Sequence, residues 1–421
     1  MRFTIFTHVE HTAKGEGYFA YSPYVREMNI WISFFEEVEV VAPSPQPPKG
    51  ESIYGEAYQH SKLIFTHIPS FDVLSIASIF TTLFKVPLIF FRILGSMQRA
   101  DHIHLRCPGN IGLLACICQI FLPCKQKTAK YAGNWDPEAK QPWSYKLQKW
   151  ILSNTFLTRN MTVLVYGQWP SQTKNILTFF TASFYENEIV KIEKDLSKPL
   201  KFLFVGNLVP GKHPFFAINL MEGLETKNIK AELHVYGDGP LKDELEKQTK
   251  NKDFIYLHGN QPLEVLKQAY KESHFLILAS KSEGWPKAVA EAMFFGCIPI
   301  ATDVSCVPWM LGSPSPDSSR DQKGEAKNVT FTKRGILIPD GENGKDGAGM
   351  DRQYFIEKTV ESLSKLIKNT EEMKRMSTEA QVWSQSYTLE KFDEAIKKVL
   401  ESDNRMCKKR SSPFGRGEGV G

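Results

Sequence analysis

The chain has 421 residues, which is enough for two separate hydrophobic cores. Hydrophobic residues make up 42% of it and charged residues 24%, a composition typical of a globular protein and unlike that of a disordered one. The net charge of +5 is small for this length and gives no reason to expect nucleic acid as a partner.

The first half of the sequence alternates predicted strands with helical stretches. Strands are predicted at 3–7, 38–42, 63–68, 102–105, 128–132 and 162–165. A loop that carries Gly15 and Gly17 follows the first strand. Strands that alternate with helices predict a parallel, doubly wound sheet.

Residues 71–94 form the most apolar stretch of the chain. Lys85, Pro87 and Arg92 interrupt it, so no uncharged run reaches the roughly 18 residues of a membrane-spanning helix. We expect a buried helix pair, with a surface that rests on a membrane as the alternative.

The N-terminus does not resemble a signal peptide, and seven cysteines, several of them in apolar runs, favour reduced thiols. The expected location is the cytoplasm, with the inner face of the cell membrane as a further candidate.

The second half repeats the alternation after a polar segment at 186–199. This segment predicts the junction between a domain at 1–190 and a second domain at 200–385. Strands are predicted at 201–205, 231–236, 255–257, 275–279, 298–301 and 335–338. Residues 313–333 are expected to form an exposed loop insertion, residues 386–403 a helix that returns to the first domain, and residues 404–421 a disordered basic tail.

The segment after the strand at 275–279 carries the most chemistry. Pro286 suits the first position of a helix, and Gly296 suits the position just past its end. The amides of the first helical turn, together with the helix dipole, favour an anion such as a diphosphate. Glu283 on the preceding loop and Glu291 inside the helix can accept hydrogen bonds from hydroxyl groups on either side of it.

This segment resembles the E-x7-E signature of family-four glycosyltransferases, which have the GT-B fold. The matching stretches are Glu283-Gly284-Trp285-Pro286-Lys287, Glu291-Ala292-Met293 and the run that begins at Gly296. The segment from Phe204 to Lys212 resembles the loop of the same family that reads strand–Gly–Arg–Leu–x–x–x–Lys–Gly, with Asn207 where the family usually has arginine. The similarity covers most of 202–340, whereas the first half resembles the family only in layout.

The resemblance implies an α/β protein with two Rossmann-like, doubly wound domains that face each other across a cleft, the first for the acceptor and the second for the donor. It implies catalytic roles for Glu283, which would contact the donor sugar, and Lys212, which would neutralise the phosphates. Glu291 would contact the ribose. The implied donor-binding residues are Gly15, Gly17, Gly206, Asn207, Lys212, Gly284, Trp285, Pro286, Lys287, Ala288, Val289 and Glu291.

Some relatives carry a histidine near the catalytic site where this chain has Ala132-Gly133-Asn134. Asn134 and Asp136 are therefore candidates for contact with the acceptor or the sugar. His102, His104 and His258 are expected to be structural.

The expected activity is that of a retaining hexosyltransferase in surface polysaccharide or glycolipid synthesis. The chain contains no Asp-x-Asp tripeptide, so we expect no metal site and no resident cofactor. The expected partners are a UDP- or GDP-linked sugar as co-substrate and a glycan or lipid-linked acceptor. A membrane surface is a further candidate partner, and nucleic acid is not expected.

Three alternatives stay open. The first is a nucleotide-sugar epimerase or a phosphorylase of the same layout, and the second is a non-catalytic nucleotide-sugar-binding protein. The third is an NAD-dependent oxidoreductase, which the sequence matches weakly because Ala20 stands at the third glycine position of the G-x-G-x-x-G pattern.

Overall fold

The computed structural model describes residues 1–15, 17–43, 55–69, 76–313, 328–339 and 352–411, and for 76–84, 352 and 403–411 it describes the backbone alone. The chain forms two compact units. Unit 1 comprises Met1–Phe179 and the described residues from Phe392 onward, and unit 2 comprises Phe180–Lys391. The break precedes the polar segment at 186–199. The backbone of Ile192 exchanges hydrogen bonds of 2.9 and 2.8 Å with the Gln381 side chain, which ties that segment to unit 2.

Unit 1 contains a seven-stranded sheet with the order β10-β9-β8-β7-β1-β4-β6. Every neighbouring pair in it is parallel, as expected for a doubly wound sheet. Strands β2, β3 and β5 form a small antiparallel sheet beside it. The strands are β1 (Arg2–Phe6), β2 (His11–Lys14), β3 (Gly17–Ala20), β4 (Glu37–Pro43), β5 (Glu56–Ala57), β6 (Leu63–Ile68), β7 (His102–Cys107), β8 (Gln126–Tyr131), β9 (Met161–Tyr166) and β10 (Ile176–Phe179).

Helices cover both faces of this sheet. They are α1 (Ser22–Ile32), α2 (Ile76–Arg99), α3 (Asn110–Cys118) and α4 (Trp143–Ser153). Helices α2, α3 and α4 lead to β7, β8 and β9, which are added in one direction, so right-handed crossovers place all three helices on one face. Helix α1 leads to β4 in the opposite direction and covers the other face. Ile89, Ile111 and Ile151 share one core cluster with the sheet, which confirms that α2, α3 and α4 pack side by side.

The apolar region at 71–94 was expected to be a buried helix pair, and this expectation is wrong for the part that the structure describes. Residues 76–94 belong to the single helix α2, which continues through Pro87 to Arg99. Ile89 and Ile93 are buried, whereas Phe91 is exposed, so the helix is amphipathic. Residues 71–75 lie outside the described part.

Unit 2 contains a second seven-stranded sheet with the order β13-β12-β11-β14-β15-β17-β16, parallel except for the edge pair β16 and β17. Its strands are β11 (Leu200–Val205), β12 (Ala231–Tyr236), β13 (Ile255–Gly259), β14 (Phe275–Leu278), β15 (Ile298–Thr302), β16 (Thr330–Phe331) and β17 (Ile336–Ile338). Its helices are α5 (Pro214–Thr226), α6 (Lys242–Thr249), α7 (Leu263–Glu272), α8 (Lys287–Phe294), α9 (Val307–Leu311), α10 (Arg352–Ile367) and α11 (Thr370–Ser384). The last helix, α12 (Leu389–Ser411), begins in unit 2 and continues in unit 1.

Two predicted loop regions contain regular structure. Strand β16 lies inside the segment 313–333, because residues 330–331 pair with β17. Helix α12 extends to Ser411, so the start of the segment 404–421 is helical rather than disordered. Residues 314–327 and 412–421 lie outside the described part of the chain.

Candidate functional site

The loops after β11, β12 and β13 are joined at the carboxyl edge of the sheet of unit 2. The Gly206 amide donates to the Tyr236 carbonyl at 3.0 Å, and the Gly237 amide donates to the Gly259 carbonyl at 2.9 Å. A Cβ on Gly237 would lie 1.9 Å from the Gly206 carbonyl oxygen, and φ is +148° there, so glycine is required. The backbone is thereby fixed at the edge where parallel sheets of this type bind ligands.

The two residues predicted to be catalytic lie side by side. Pro210–Lys212 forms a 3-10 turn. A 2.9 Å hydrogen bond from the Lys281 amide to the Gly211 carbonyl joins this turn to the loop that follows β14, the neighbouring strand in the sheet. The Lys212 ammonium donates to the Glu283 carboxylate in an ion pair. The Glu283 side chain is 8% exposed and that of Lys212 is 29% exposed, so the pair is partly shielded from water. Asn207, at the position where the family usually has arginine, is exposed.

Helix α8 begins one residue later than predicted. Pro286 is its N-cap, and its carbonyl accepts the amides of Val289 and Ala290 at 3.0 and 3.3 Å. Lys287 and Ala288 are partly exposed in the first turn, whereas the Val289 side chain is buried. Val289 therefore has no side chain that could reach a ligand, and its amide is already donated to Pro286.

The loop before α8 is held by the following helix. The Gly284 carbonyl accepts from the Ser305 hydroxyl at 3.2 Å and from the Cys306 thiol at 3.1 Å. Trp285, predicted as a donor contact, packs its ring against Trp383 (centroids 6.1 Å apart) and Trp309 (6.2 Å). Its side chain is buried, so it fixes the loop between Glu283 and α8 by packing.

The end of α8 matches the prediction at Gly296. The Gly296 amide donates to Met293 and the Cys297 amide donates to Ala292, both at 2.9 Å, which is the hydrogen-bond pattern of a Schellman motif. The φ of Gly296 is +79°, and a Cβ there would lie 2.7 Å from the Gln381 side chain. Both facts require glycine at this position.

Glu291 is held by two hydroxyl groups that the sequence analysis did not identify. Ser183 Oγ donates to its Oε1 at 2.6 Å, and Tyr270 OH donates to its Oε2 at 3.1 Å. Burial and the neighbouring Glu291 charge raise the pKa of Tyr270 well above its usual value, so the phenol remains a donor. A carboxylate offers about four lone-pair sites, so Glu291 keeps acceptor capacity for a ligand. No local pattern marks Ser183, which lies 108 positions from Glu291.

His258 packs as expected of a structural residue. Its ring stacks on Tyr236 with centroids 4.4 Å apart, and its Nε2 shares a 3.0 Å hydrogen bond with His234 Nδ1. Burial, and then the neighbouring His234, lower the pKa of His258. The ring pair thus supports the loop after β13.

The remaining predicted residues lie in unit 1. Gly15, with φ +58°, forms the tip of the hairpin between β2 and β3, and Gly17 opens β3. This hairpin begins several residues after β1 ends. Asn134 Oδ1 accepts the Asp136 amide at 2.8 Å, and the Lys149 ammonium donates to the Asp136 carbonyl at 2.7 Å. Both predicted acceptor-contact residues therefore also shape the loop after β8.

His102 and His104 are structural, as expected. Both are buried, and both rings share a hydrogen bond with the Thr128 hydroxyl, at 2.9 and 2.8 Å. Burial lowers the pKa of each, to about 3 for His102. The two imidazoles therefore stay neutral in the folded protein.

A buried charged cluster on the α1 face of the unit 1 sheet was not predicted. Arg106 and Lys130 are register neighbours on β7 and β8, and Glu27 on α1 pairs with them at 2.9 and 3.3 Å. Lys130 is fully buried, with its ammonium 4.7 Å from the Phe179 ring centroid and 5.1 Å from that of Phe392. The sequence does contain one indication of this cluster, since charged residues stand near the ends of two otherwise apolar strands.

The described residues offer neither a cluster of metal ligands nor a membrane-spanning helix. Within the ranges given above, no group of three or more His, Cys, Asp or Glu side chains could hold a metal ion. Metal independence stays a prediction. In the same ranges, no helix combines the length and the apolar character needed to cross a membrane.

Comparison with known proteins connects the site of unit 2 with one family. Residues 186–313 match the family described as glycosyl transferases group 1. The matched segment contains Gly206, Lys212, Glu283 and Glu291. No curated protein matches the chain.

Solved structures match the chain at low sequence identity. Sucrose-phosphate synthase from Thermosynechococcus elongatus has a TM-score of 0.61 at 15% identity, over 96% of this chain and 100% of that one. The lipopolysaccharide outer core galactosyltransferase WaaB has a TM-score of 0.61 at 15% identity, over 96% and 99%. HepE from Anabaena, in complex with UDP and glucose, has a TM-score of 0.60 at 13% identity, over 96% and 100%.

Two other matched proteins are longer than this chain, which covers 58% of TarM and 60% of the pneumococcal O-GlcNAc transferase GtfA. The likenesses to sucrose-phosphate synthase and HepE confirm the GT-B fold class, with two Rossmann-like units. At such low identity they show the fold alone.

Proposed function

We propose that the protein is a retaining glycosyltransferase that moves a hexose from a nucleotide-diphosphate sugar to a glycan or lipid-linked acceptor. The observation that carries this proposal is the ion pair of Lys212 and Glu283 on the loops that follow β11 and β14, inside the segment that matches the family. Glu291 lies about one turn further along α8 in the same segment. UDP is the first choice of donor nucleotide and GDP the second. The proposed place of action is the cytoplasm, in polysaccharide or glycolipid synthesis.

The proposed roles follow from the charges that develop during the reaction. Breakage of the anomeric C–O bond leaves negative charge on the diphosphate, which Lys212 and the first amides of α8 would stabilise. Glu283 would accept hydrogen bonds from the donor sugar, and Glu291 from the ribose. Before the donor binds, Lys212 and Glu283 neutralise each other. Because the Glu283 carboxylate is largely buried, the Lys212 cation offsets the cost of removing it from water.

A nucleotide-sugar panel tests the choice of donor. A ligand that binds only the folded state, at about 100 times its Kd, stabilises it by about 2.7 kcal/mol. For domains of this size the melting temperature should then rise by roughly 5–10 °C. We expect this rise with one UDP- or GDP-linked sugar and not with free hexose. No rise with any member of the panel would contradict the proposal.

Substitution of the two carboxylates tests their roles. We expect Glu283→Gln to lower the release of nucleoside diphosphate by about 10²–10³-fold, with donor binding largely retained. We expect Glu291→Gln to raise the donor KM more than it lowers kcat. The matched control is Glu371→Gln, which removes an exposed carboxylate of α11 and should leave both constants unchanged. Equal losses in the Glu283 and Glu291 variants would contradict the assigned roles.

A non-catalytic nucleotide-sugar-binding protein is the second candidate. It is favoured by Asn207 at the family's usual arginine position and by Asn134 near the position of the histidine of some relatives. The two candidates differ in one measurement. A thermal shift with a donor, together with no release of nucleoside diphosphate across a panel of glycan and lipid-linked acceptors, would favour the binding protein.

A further inference from the structure

The outer side of the helical layer formed by α2, α3 and α4 in unit 1 carries large exposed apolar side chains. We call this surface the aromatic face. The inner sides of the three helices are buried in the core with the sheet, and the large apolar side chains named below are exposed on their outer sides. The face is formed by Leu88 and Phe91 on α2, Phe121 in the turn after α3, and Trp143 and Trp150 on α4.

These side chains are exposed to an unusual degree for their size. Phe91 is 68% exposed, Trp143 is 72% exposed and Trp150 is 60% exposed. Trp143 and Trp150 are seven positions apart and therefore lie on the same side of α4. Phe90 connects α2 to the turn after α3, because its ring centroid lies 5.7 Å from that of Phe91 and 6.2 Å from that of Phe121. Neighbouring exposed aromatic residues mark a surface for binding.

The charges on this layer are all of one sign. The sequences of α2, α3, the turn Gln119–Phe121 and α4 contain no aspartate or glutamate, although acidic residues number 47 in the whole chain. Lys85 on α2 and Lys146 on α4 are exposed beside the apolar residues. Lys146 lies between Trp143 and Trp150 on the same side of the helix. These helices and the turn therefore contribute apolar rings and cations to the face, and no anions.

We propose that the aromatic face docks on an anionic membrane surface. Tryptophan side chains favour the boundary between lipid headgroups and hydrocarbon, where their apolar rings are buried and their N–H groups stay hydrated. Lysine side chains extend from such a surface towards the headgroups, and each adds attraction to anionic lipids. A second copy of the chain is the less suitable occupant, because a two-fold contact would place the cations of one copy against those of the other.

Flotation of the full chain with vesicles tests the proposal. We expect binding to vesicles of phosphatidylcholine mixed with phosphatidylglycerol, and weaker binding to phosphatidylcholine alone. The double variant Trp143→Ser with Trp150→Ser should lower the affinity by about tenfold or more, because both apolar anchors are lost. The control is Phe331→Ser with Val382→Ser, which removes two exposed apolar side chains of unit 2 and should leave binding unchanged.

A second variant tests the electrostatic part. Lys85→Glu with Lys146→Glu should weaken binding to the anionic vesicles by about fivefold or more for each residue, and leave binding to neutral vesicles unaffected. Circular dichroism of each variant checks that it is folded. All substituted positions are exposed, so the native fold is expected to persist.

Two outcomes would overturn the proposal. One is binding to anionic vesicles that is undetectable, or that is unchanged in the tryptophan variant. The other is a dimer, measured by light scattering, that becomes a monomer in the tryptophan variant while vesicle binding is absent. Vesicle binding is measured without donor or acceptor, so its outcome does not depend on the activity proposed above.

Discussion

Lowering the pH from about 7 to about 5 should destabilise the protein through its buried histidines, which include His11 and His102. Both are almost fully buried, with exposed fractions of 2% and 1%. Burial lowers the pKa of His11 to about 4 and that of His102 to about 3. In the unfolded chain both should titrate near the ordinary value of about 6.5.

The sign of the effect follows from proton binding. At pH 7 both histidines are neutral in both states, so nothing is lost. Between about 6.5 and the lowered pKa the unfolded chain binds protons that the folded chain does not, so the free energy of unfolding falls as the pH falls. At pH 5 the pKa of each histidine in the unfolded chain lies about 1.5 units above the pH. The free energy of unfolding is therefore lower by about 2 kcal/mol for each histidine, or by about 4 kcal/mol for the two together.

Urea unfolding at the two pH values measures this loss, because carboxylates with ordinary pKa values near 4 stay mostly ionised down to pH 5. His102→Gln should remove about 2 kcal/mol of the difference, whereas His67→Gln, at an exposed position on β6, serves as the control. An unfolding free energy that is the same at both pH values would refute the reasoning. So would a pH difference that His102→Gln leaves unchanged.

Two further substitutions test packing in each unit. Glu27→Ala should destabilise unit 1 by about 3–5 kcal/mol in urea unfolding, because it removes the buried carboxylate that pairs with both Arg106 and Lys130. A loss below about 1 kcal/mol would show that the cluster is hydrated. Gly237→Ala should lower both the melting temperature and donor affinity, since its Cβ would overlap the Gly206 carbonyl. Gly211→Ala, whose Cβ would meet nothing within 4 Å, is the matched control, and equal behaviour of the two variants would contradict the close approach.

Local sequence signals predicted the framework of the unit 2 site. Pro286 and Gly296 mark the two ends of α8 to within one residue, because a proline N-cap and a left-handed glycine act through their own backbone. The fold class was predictable for a related reason, since alternating strands and helices leave few sheet topologies.

Contacts between distant positions could not be predicted in this way. Ser183 binds Glu291 across 108 positions of sequence, and a pattern of neighbouring residues cannot mark such a contact. The α4 part of the aromatic face was missed, because Trp143 and Trp150 lie in a short helix whose neighbours on the layer come from elsewhere in the chain. Lys130 was missed because its partners come from α1 and α12.

The course of α12 has a consequence for truncated forms of the protein. Phe392 belongs to unit 1, although it follows the whole of unit 2 in the sequence and is therefore synthesised later. Its ring packs against the Lys130 ammonium. A stop codon just after Lys391 would therefore leave the second Rossmann-like unit complete but remove an aromatic cover from the first. Damage from a late nonsense mutation would thus appear in the part of the protein that was translated earliest.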